Sequence, residues 1–234
     1  MKKVLKLMLC MCVMLVSVYL IHDHYKDYNV QNEKDDFIAN NDDDYELISE
    51  LRTKYSNNEI VMYLEIPGVL STPIVQTENN SYYLNHNIYR EESNKGIPYL
   101  DYRNKSLNDR KLILYGHNRI NMALIFSKLL DYQNESFYKE HSDIKVYSDH
   151  GKKIYRIFSV FTEKDNFDYL DLNGFPGDEY YSHLSNLKDK SIYDTGVSID
   201  NNSKVLVIQT CSSVNGCDNI AEYQVMVAVE LKTP

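Results

Sequence analysis

Two short apolar runs end in residues that can do chemistry. Lys204–Cys211 reads KVLVIQTC and gives way to the polar stretch Ser212–Gly216. A cysteine at a strand end that faces a loop is rigid enough to aim and exposed enough to react. Lys111–Asn118 reads KLILYGHN, a second apolar run that ends in Gly116–His117. The glycine lets the backbone turn, so the imidazole can project at the strand's end. A thiol and an imidazole suffice for nucleophilic acyl transfer, in which a thiolate attacks a carbonyl and an imidazolium protonates the departing amine. Each residue alone also fits a plainer role, a buried structural thiol or an ordinary histidine. Cys217 lies six residues after Cys211, and outside the cell the two could form a disulfide that silences the nucleophile.

Other chemistries find little support. His22, His24, His86, His141 and His150 fall in a polar tether, loops or helix ends, and His183 sits on the helical stretch Glu179–Lys190. No C-x-x-C or H-x-x-x-H spacing occurs after residue 45, so neither a metal site nor a thiol–disulfide oxidoreductase is expected. The carboxylates are scattered through loops, and no acid–base pair stands out. Lys+Arg 25 against Asp+Glu 34 gives a net charge of −9, which argues against nucleic acid as a partner. Four cysteines in 234 residues are too few for a disulfide scaffold. With 43% hydrophobic and 25% charged residues the chain is globular, and 21 Tyr with no Trp means that aromatic packing falls to Tyr and Phe.

The elements that must position Cys211 and His117 are mostly strands. Apolar, β-branched runs occupy Ile60–Ile66, Thr72–Gln76, Gly96–Asp101, Lys111–Tyr115, Ile144–Ser148, Ile154–Thr162, Lys204–Thr210 and Glu222–Leu231. Turn residues such as Pro67–Gly68 and Asn201–Asn202 separate them. Helical spacing interrupts at Asn80–His86, Asn121–Tyr132 and Glu179–Lys190, and Leu47, Ile48, Leu51 and Tyr55 mark an N-terminal helix. The pattern predicts a mainly β fold, an eight-stranded closed or nearly closed barrel with short inserted helices. Ahead of it, Met1–Ile21 carries Lys2, Lys3 and Lys6, then an apolar stretch of 18 residues counted from Val4. That length and the preceding positive charge predict an uncleaved transmembrane signal-anchor, N-terminus inside, with residues 22–44 a polar tether and 45–234 the folded domain. A cleaved signal peptide is the alternative, but Ser17–Val18–Tyr19 offers no small-x-small site.

The motifs together resemble a family. YGHN at Tyr115–Asn118 and VIQTC at Val207–Cys211 resemble the paired signatures of the sortases, cysteine transpeptidases of Gram-positive bacteria. Ile66–Gln76 followed by Asn79–Asn80 and Tyr82–Leu84 is similar to the family's run in which a PV-x-Q strand precedes DN-x-YYL, and Gly96–Asn104 to its G-x-x-F-L-D-x-R-N strand. Met122–Tyr132 with Ser136–His141, and the insert Phe161–Thr195, resemble class B, where such an insert supplies a helix before the seventh strand. The likeness covers residues 45–231.

The resemblance implies a sortase-type barrel in which Cys211 is the nucleophile and His117 its acid–base partner. Thr210, Asn118 and Arg119 would contact substrate. It implies a membrane-anchored enzyme with an extracellular catalytic domain, cleaving a C-terminal sorting motif after Thr through a thioester. The protein would then pass to a peptidoglycan amine. Partners would be surface proteins bearing that motif and the peptidoglycan precursor. No metal and no organic cofactor is implied, and no D-x-D-x-D loop suggests calcium. One departure matters: sortases carry an arginine on the last strand that stabilises the oxyanion, and this chain has no arginine after Arg156. Matching the chain's end places Gln224 at that position, where it can donate a hydrogen bond but no charge. The alternatives are a slower sortase, one with a relocated cation such as Arg119, or a catalytically impaired surface binding module. A pilin-polymerising sortase would share the mechanism, but the chain's end carries no second apolar span.

Overall fold

The computed structural model describes residues 6, 8–18, 46–118, 124–172, 175–176, 178–212 and 222–232. The whole tether, Arg119 and Cys217 lie outside the described residues. Within the expected anchor, residues 8–18 are helical and exposed, and among the described residues no helix is long and apolar enough to cross a membrane. Residues 1–40 and 41–234 form separate compact units.

The second unit is a closed eight-stranded barrel. Its strands are β1 (Ile60–Ile66), β2 (Leu70–Val75), β3 (Tyr99–Leu100), β4 (Lys111–Tyr115), β5 (Asp143–Ser148), β6 (Gly151–Glu163), β7 (Val205–Cys211) and β8 (Tyr223–Glu230). They close in the order β1-β2-β3-β4-β7-β8-β6-β5. β2–β3 and β4–β7 pair in parallel and the other neighbours antiparallel. The predicted strands are all present, with shifted ends. The third shrinks to two residues, because 96–98 pass beside the 3₁₀ turn Tyr82–Leu84 instead of pairing; the Ile97 N–H donates to the Tyr83 carbonyl (3.1 Å).

Strands at the centre of the site are buried on both faces, which is why KLILY and VLVI read as continuous apolar runs. Successive side chains alternate between two cores. Leu112, Leu114, Leu206, Ile208, Met226 and Ala228 fill the barrel interior with Phe126, Leu129 and Tyr132. Ile113, Val205, Val207, Val225, Val227 and Val229 face outward, against Tyr180, Leu184 and Leu187.

Those three residues belong to helix α3 (Glu179–Asp189), the insert between β6 and β7. Helix α1 (Leu47–Tyr55) buries Leu47, Ile48, Leu51 and Tyr55 as its spacing predicts, and a short α2 covers Glu135–Glu140. The expected helix near 121–132 is a 3₁₀ segment, Ile125–Gln133. Tyr83, Tyr132, Tyr155, Tyr169 and Tyr180 are among the largest fully buried side chains, taking the packing role that Trp leaves open.

Candidate active site

His117 and Cys211 meet at the ends of β4 and β7. The parallel register runs from Lys111–Val205 to Tyr115–Gln209, which brings His117 level with Cys211 one strand away. Neighbouring strands lie about 4.8 Å apart. Three hydrogen bonds hold that junction. The Gly116 N–H donates to the Gln209 carbonyl (3.3 Å), the Thr210 hydroxyl donates to the Gly116 carbonyl (2.8 Å), and the Asn118 amide donates to the Cys211 carbonyl (2.8 Å). Asn118 is fully buried, so it acts on the backbone of the nucleophile.

Gly116 is required by packing. A Cβ there would lie 2.4 Å from the Phe126 ring, which the barrel interior holds against the turn. The His117 ring is half-buried, and its Nε2 stands 2.9 Å from the Leu84 carbonyl. A carbonyl only accepts, so Nε2 carries the hydrogen and Nδ1 is left to gain or lose the working proton. Gly96 keeps that carbonyl in place. With φ at +61° it passes so close that a Cβ would meet the Tyr83 and Leu84 oxygens at 2.5 and 2.8 Å.

Cys211 is half-exposed at the end of β7, and its sulfur is engaged in a disulfide. Thr210 and Gln224 do not share the thiol's side of the sheet. Thr210, cross-strand partner of Gln224, follows Leu206 and Ile208 onto the interior face and is 3% exposed. Gln224, 1% exposed, donates to the Leu129 carbonyl and accepts from the Gln133 amide (3.1 Å). The position opposite Cys211 is Tyr223. Thus the structure brings Cys211, His117 and Asn118 together and sets Thr210 and Gln224 within the barrel.

Outward of the thiol, the face is lined by tyrosines around a buried acid. Asp101, fully buried, is gripped by Arg103 through two bonds (3.0 and 2.7 Å) and accepts from the Tyr115 hydroxyl (2.8 Å). Burial pushes its carboxyl up, but the Arg103 and Tyr115 bonds outweigh it and hold the group below the usual range. Arg103 also donates to the Leu170 carbonyl (3.2 Å), so its charge is committed to Asp101 and the insert. Tyr169 donates to Gln209 (2.9 Å), and Tyr99 packs on Tyr115. At the far end of β4 lies buried Lys111, which burial pushes down to about 7. Its Nζ donates to the Asp171 carbonyl (2.6 Å) and to His183 Nε2 (2.7 Å). Among the described residues no cluster of metal-ligating side chains occurs.

With this geometry in view, the relatives are informative. No protein-family model matches the chain. Sortase B of Staphylococcus aureus is 31% identical over 159 residues, which cover 66% of this chain and 64% of that protein. The structure of the S. aureus sortase B–substrate complex superposes with a TM-score of 0.73 at 26% identity, over 81% of this chain and 87% of the other. Sequence and fold together support a class B sortase. A second sortase B, solved in complex with triglycine, gives a TM-score of 0.80 at 25% identity, over 91% of this chain and all of the other. Against the curated S. aureus relative the match spans just under two thirds of the length.

Asp101, Arg103 and Tyr223 were not singled out by the sequence. Asp101 and Arg103 lie within the family-like run GIPYLDYRN, which is the signal that could have found them. Nothing in the sequence aligns β8 against β7, so Tyr223 carries no such hint.

Proposed function

We propose that this sortase-family chain is a cysteine transpeptidase held at the cell surface by its N-terminal apolar segment. The Cys211 thiolate attacks the carbonyl of a Thr in a C-terminal sorting motif, forming a C–S bond and a tetrahedral oxyanion. Collapse breaks the C–N bond, and the departing amine takes its proton from His117. An acceptor amine of peptidoglycan then attacks the thioester and passes a proton to His117, forming a new amide, breaking the C–S bond and releasing the thiolate. The observation that carries the reading is the level placement of His117 and Cys211 across β4 and β7, tied by the Thr210 and Asn118 bonds. The relatives solved with a substrate and with triglycine support a peptide donor and an amine acceptor for this chain too.

A second reading, a surface binding module without catalysis, is favoured by the disulfide at Cys211, since a bridged sulfur is no nucleophile. Intact-mass spectrometry separates the two. The reduced protein gains about two daltons on opening one disulfide. Incubated with a panel of sorting-motif peptides it is expected to form a thioester adduct that Cys211→Ala abolishes. A reduced thiol that takes up no peptide would favour the binding module.

A further inference from the structure

Among the described residues no arginine takes the last-strand position usual in the family. Gln224, which the sequence matches to that arginine, spends its amide inside the barrel on the Leu129 carbonyl and Gln133. Among the described residues, three other donors of this region are committed as well. The Ser212 N–H donates to the Glu222 carbonyl (3.0 Å), the Asn118 amide to the Cys211 carbonyl (2.8 Å), and Arg103 to Asp101 and Leu170.

Tyr223 is different. The Ser212–Glu222 bond makes those two a hydrogen-bonded pair, so the adjacent pair, Cys211 and Tyr223, is of the non-hydrogen-bonded kind. Such pairs have Cα atoms about 4.5 Å apart and the closer side chains. Parity puts Tyr223 on the outward face with Cys211, Gln209 and Tyr115. Its ring is half-buried and set edge-on against Phe167 (5.9 Å). Among the described residues its hydroxyl has no hydrogen-bond partner, whereas those of Tyr169 and Tyr115 are taken by Gln209 and Asp101.

An oxyanion formed on a carbonyl carbon bound to Cys211 Sγ needs a donor about 2.7–3.1 Å from the oxygen, and a tyrosine hydroxyl can serve. We propose that the Tyr223 phenol is the oxyanion donor of this enzyme, taking from the neighbouring position the role of the missing arginine. The proposal rests on Cys211 acting as an acylated nucleophile. As the S–C bond forms, the carbonyl π pair moves onto oxygen, and Tyr223 donates a hydrogen bond to it without giving up its proton. Collapse returns the pair and expels the leaving group.

The test needs no knowledge of the client motif. The full-length protein is reduced with TCEP and desalted without air, then treated with p-nitrophenyl acetate, with Cys211→Ala subtracting background. Acetylation passes through an oxyanion, whereas alkylation by iodoacetamide does not. Tyr223→Phe keeps the ring on Phe167 and is expected to slow Cys211 acetylation at least about tenfold, approaching the roughly 10²–10³ typical of a lost oxyanion donor. Its alkylation rate is expected to match wild type, which also shows that the fold and the thiolate are intact. Unchanged acetylation overturns the proposal, and so does an equal fall in both rates, which would place the effect on the thiolate. A Tyr223-dependent acetylation in a protein that accepts no sorting peptide would retire the sortase activity while leaving this role standing.

Discussion

Buried His183 sets a pH limit on this fold that can be worked out from its contacts. Its Nε2 lies 2.7 Å from Lys111 Nζ, and an ammonium only donates, so the imidazole accepts and is neutral. Burial first, and the Lys111 charge second, push its pKa down to about 4, against about 6.5 in an unfolded chain. Between those values the unfolded chain holds one more proton than the folded one. Stability is therefore whole above about pH 6.5 and is lost as pH falls toward 4. The gap of about 2.5 pH units corresponds to about 3 kcal/mol at 1.36 kcal/mol per unit. Across that acid window Lys111, pushed down to about 7, is largely protonated in both states and adds little slope of its own. His183→Gln keeps a neutral acceptor for Lys111 without a titrating group. Urea unfolding followed by circular dichroism at steps from pH 7.5 to 4 is the assay. The variant is expected to lie within about 1 kcal/mol of wild type at pH 7.5 and to retain about 3 kcal/mol more at pH 4. Parallel curves for the two proteins would refute the linkage, because some other group would then carry the acid limb.

Two further substitutions probe the frame around the thiol. Gly116→Ala places a methyl 2.4 Å from the Phe126 ring, and overpacking of this kind costs about 1–3 kcal/mol. Its melting temperature and Cys211 acylation rate are both expected to fall, and Phe126→Leu in the same chain is expected to restore part of each; an unaffected protein would mean the turn yields freely. Gln224→Arg puts a guanidinium where the side chain is 1% exposed and its partners are a carbonyl and an amide. An uncompensated buried charge costs about 3–5 kcal/mol, so thermal unfolding should show a large loss of stability. A stable and more active Gln224→Arg would instead mean that β8 is offset by one residue.

The strands were legible because a fold buried on both faces writes its central strands as unbroken apolar runs, as in KLILY and VLVI. The order in which they close was not. β4 and β7 pair in parallel across 94 residues, from His117 to Cys211, and no local pattern encodes such a pairing. The chemistry at those strand ends was visible for a simple reason. A cysteine and a histidine that each follow an apolar run must emerge where the run stops being buried. What the sequence could not supply was the face of each residue beyond the run, as Thr210, Gln224 and Tyr223 show.

Side chains alternate with period two, so a one-residue offset between β7 and β8 exchanges the barrel interior for the outer face. Matching the chain's end to a family pattern puts Gln224 beside the nucleophile, while pairing Thr210 with Gln224 puts it inside, among Leu129 and Gln133. The two placements differ by a single residue and assign opposite chemistry to it. The structural register makes the interior amide a packing group and hands the thiol's neighbourhood to a phenol. The residue paired with Cys211 is therefore Tyr223, one position earlier than the match to the chain's end would choose. Comparing Tyr223→Phe with Gln224→Arg exposes that one-residue difference directly, since each register expects only one of the two positions to touch the reaction.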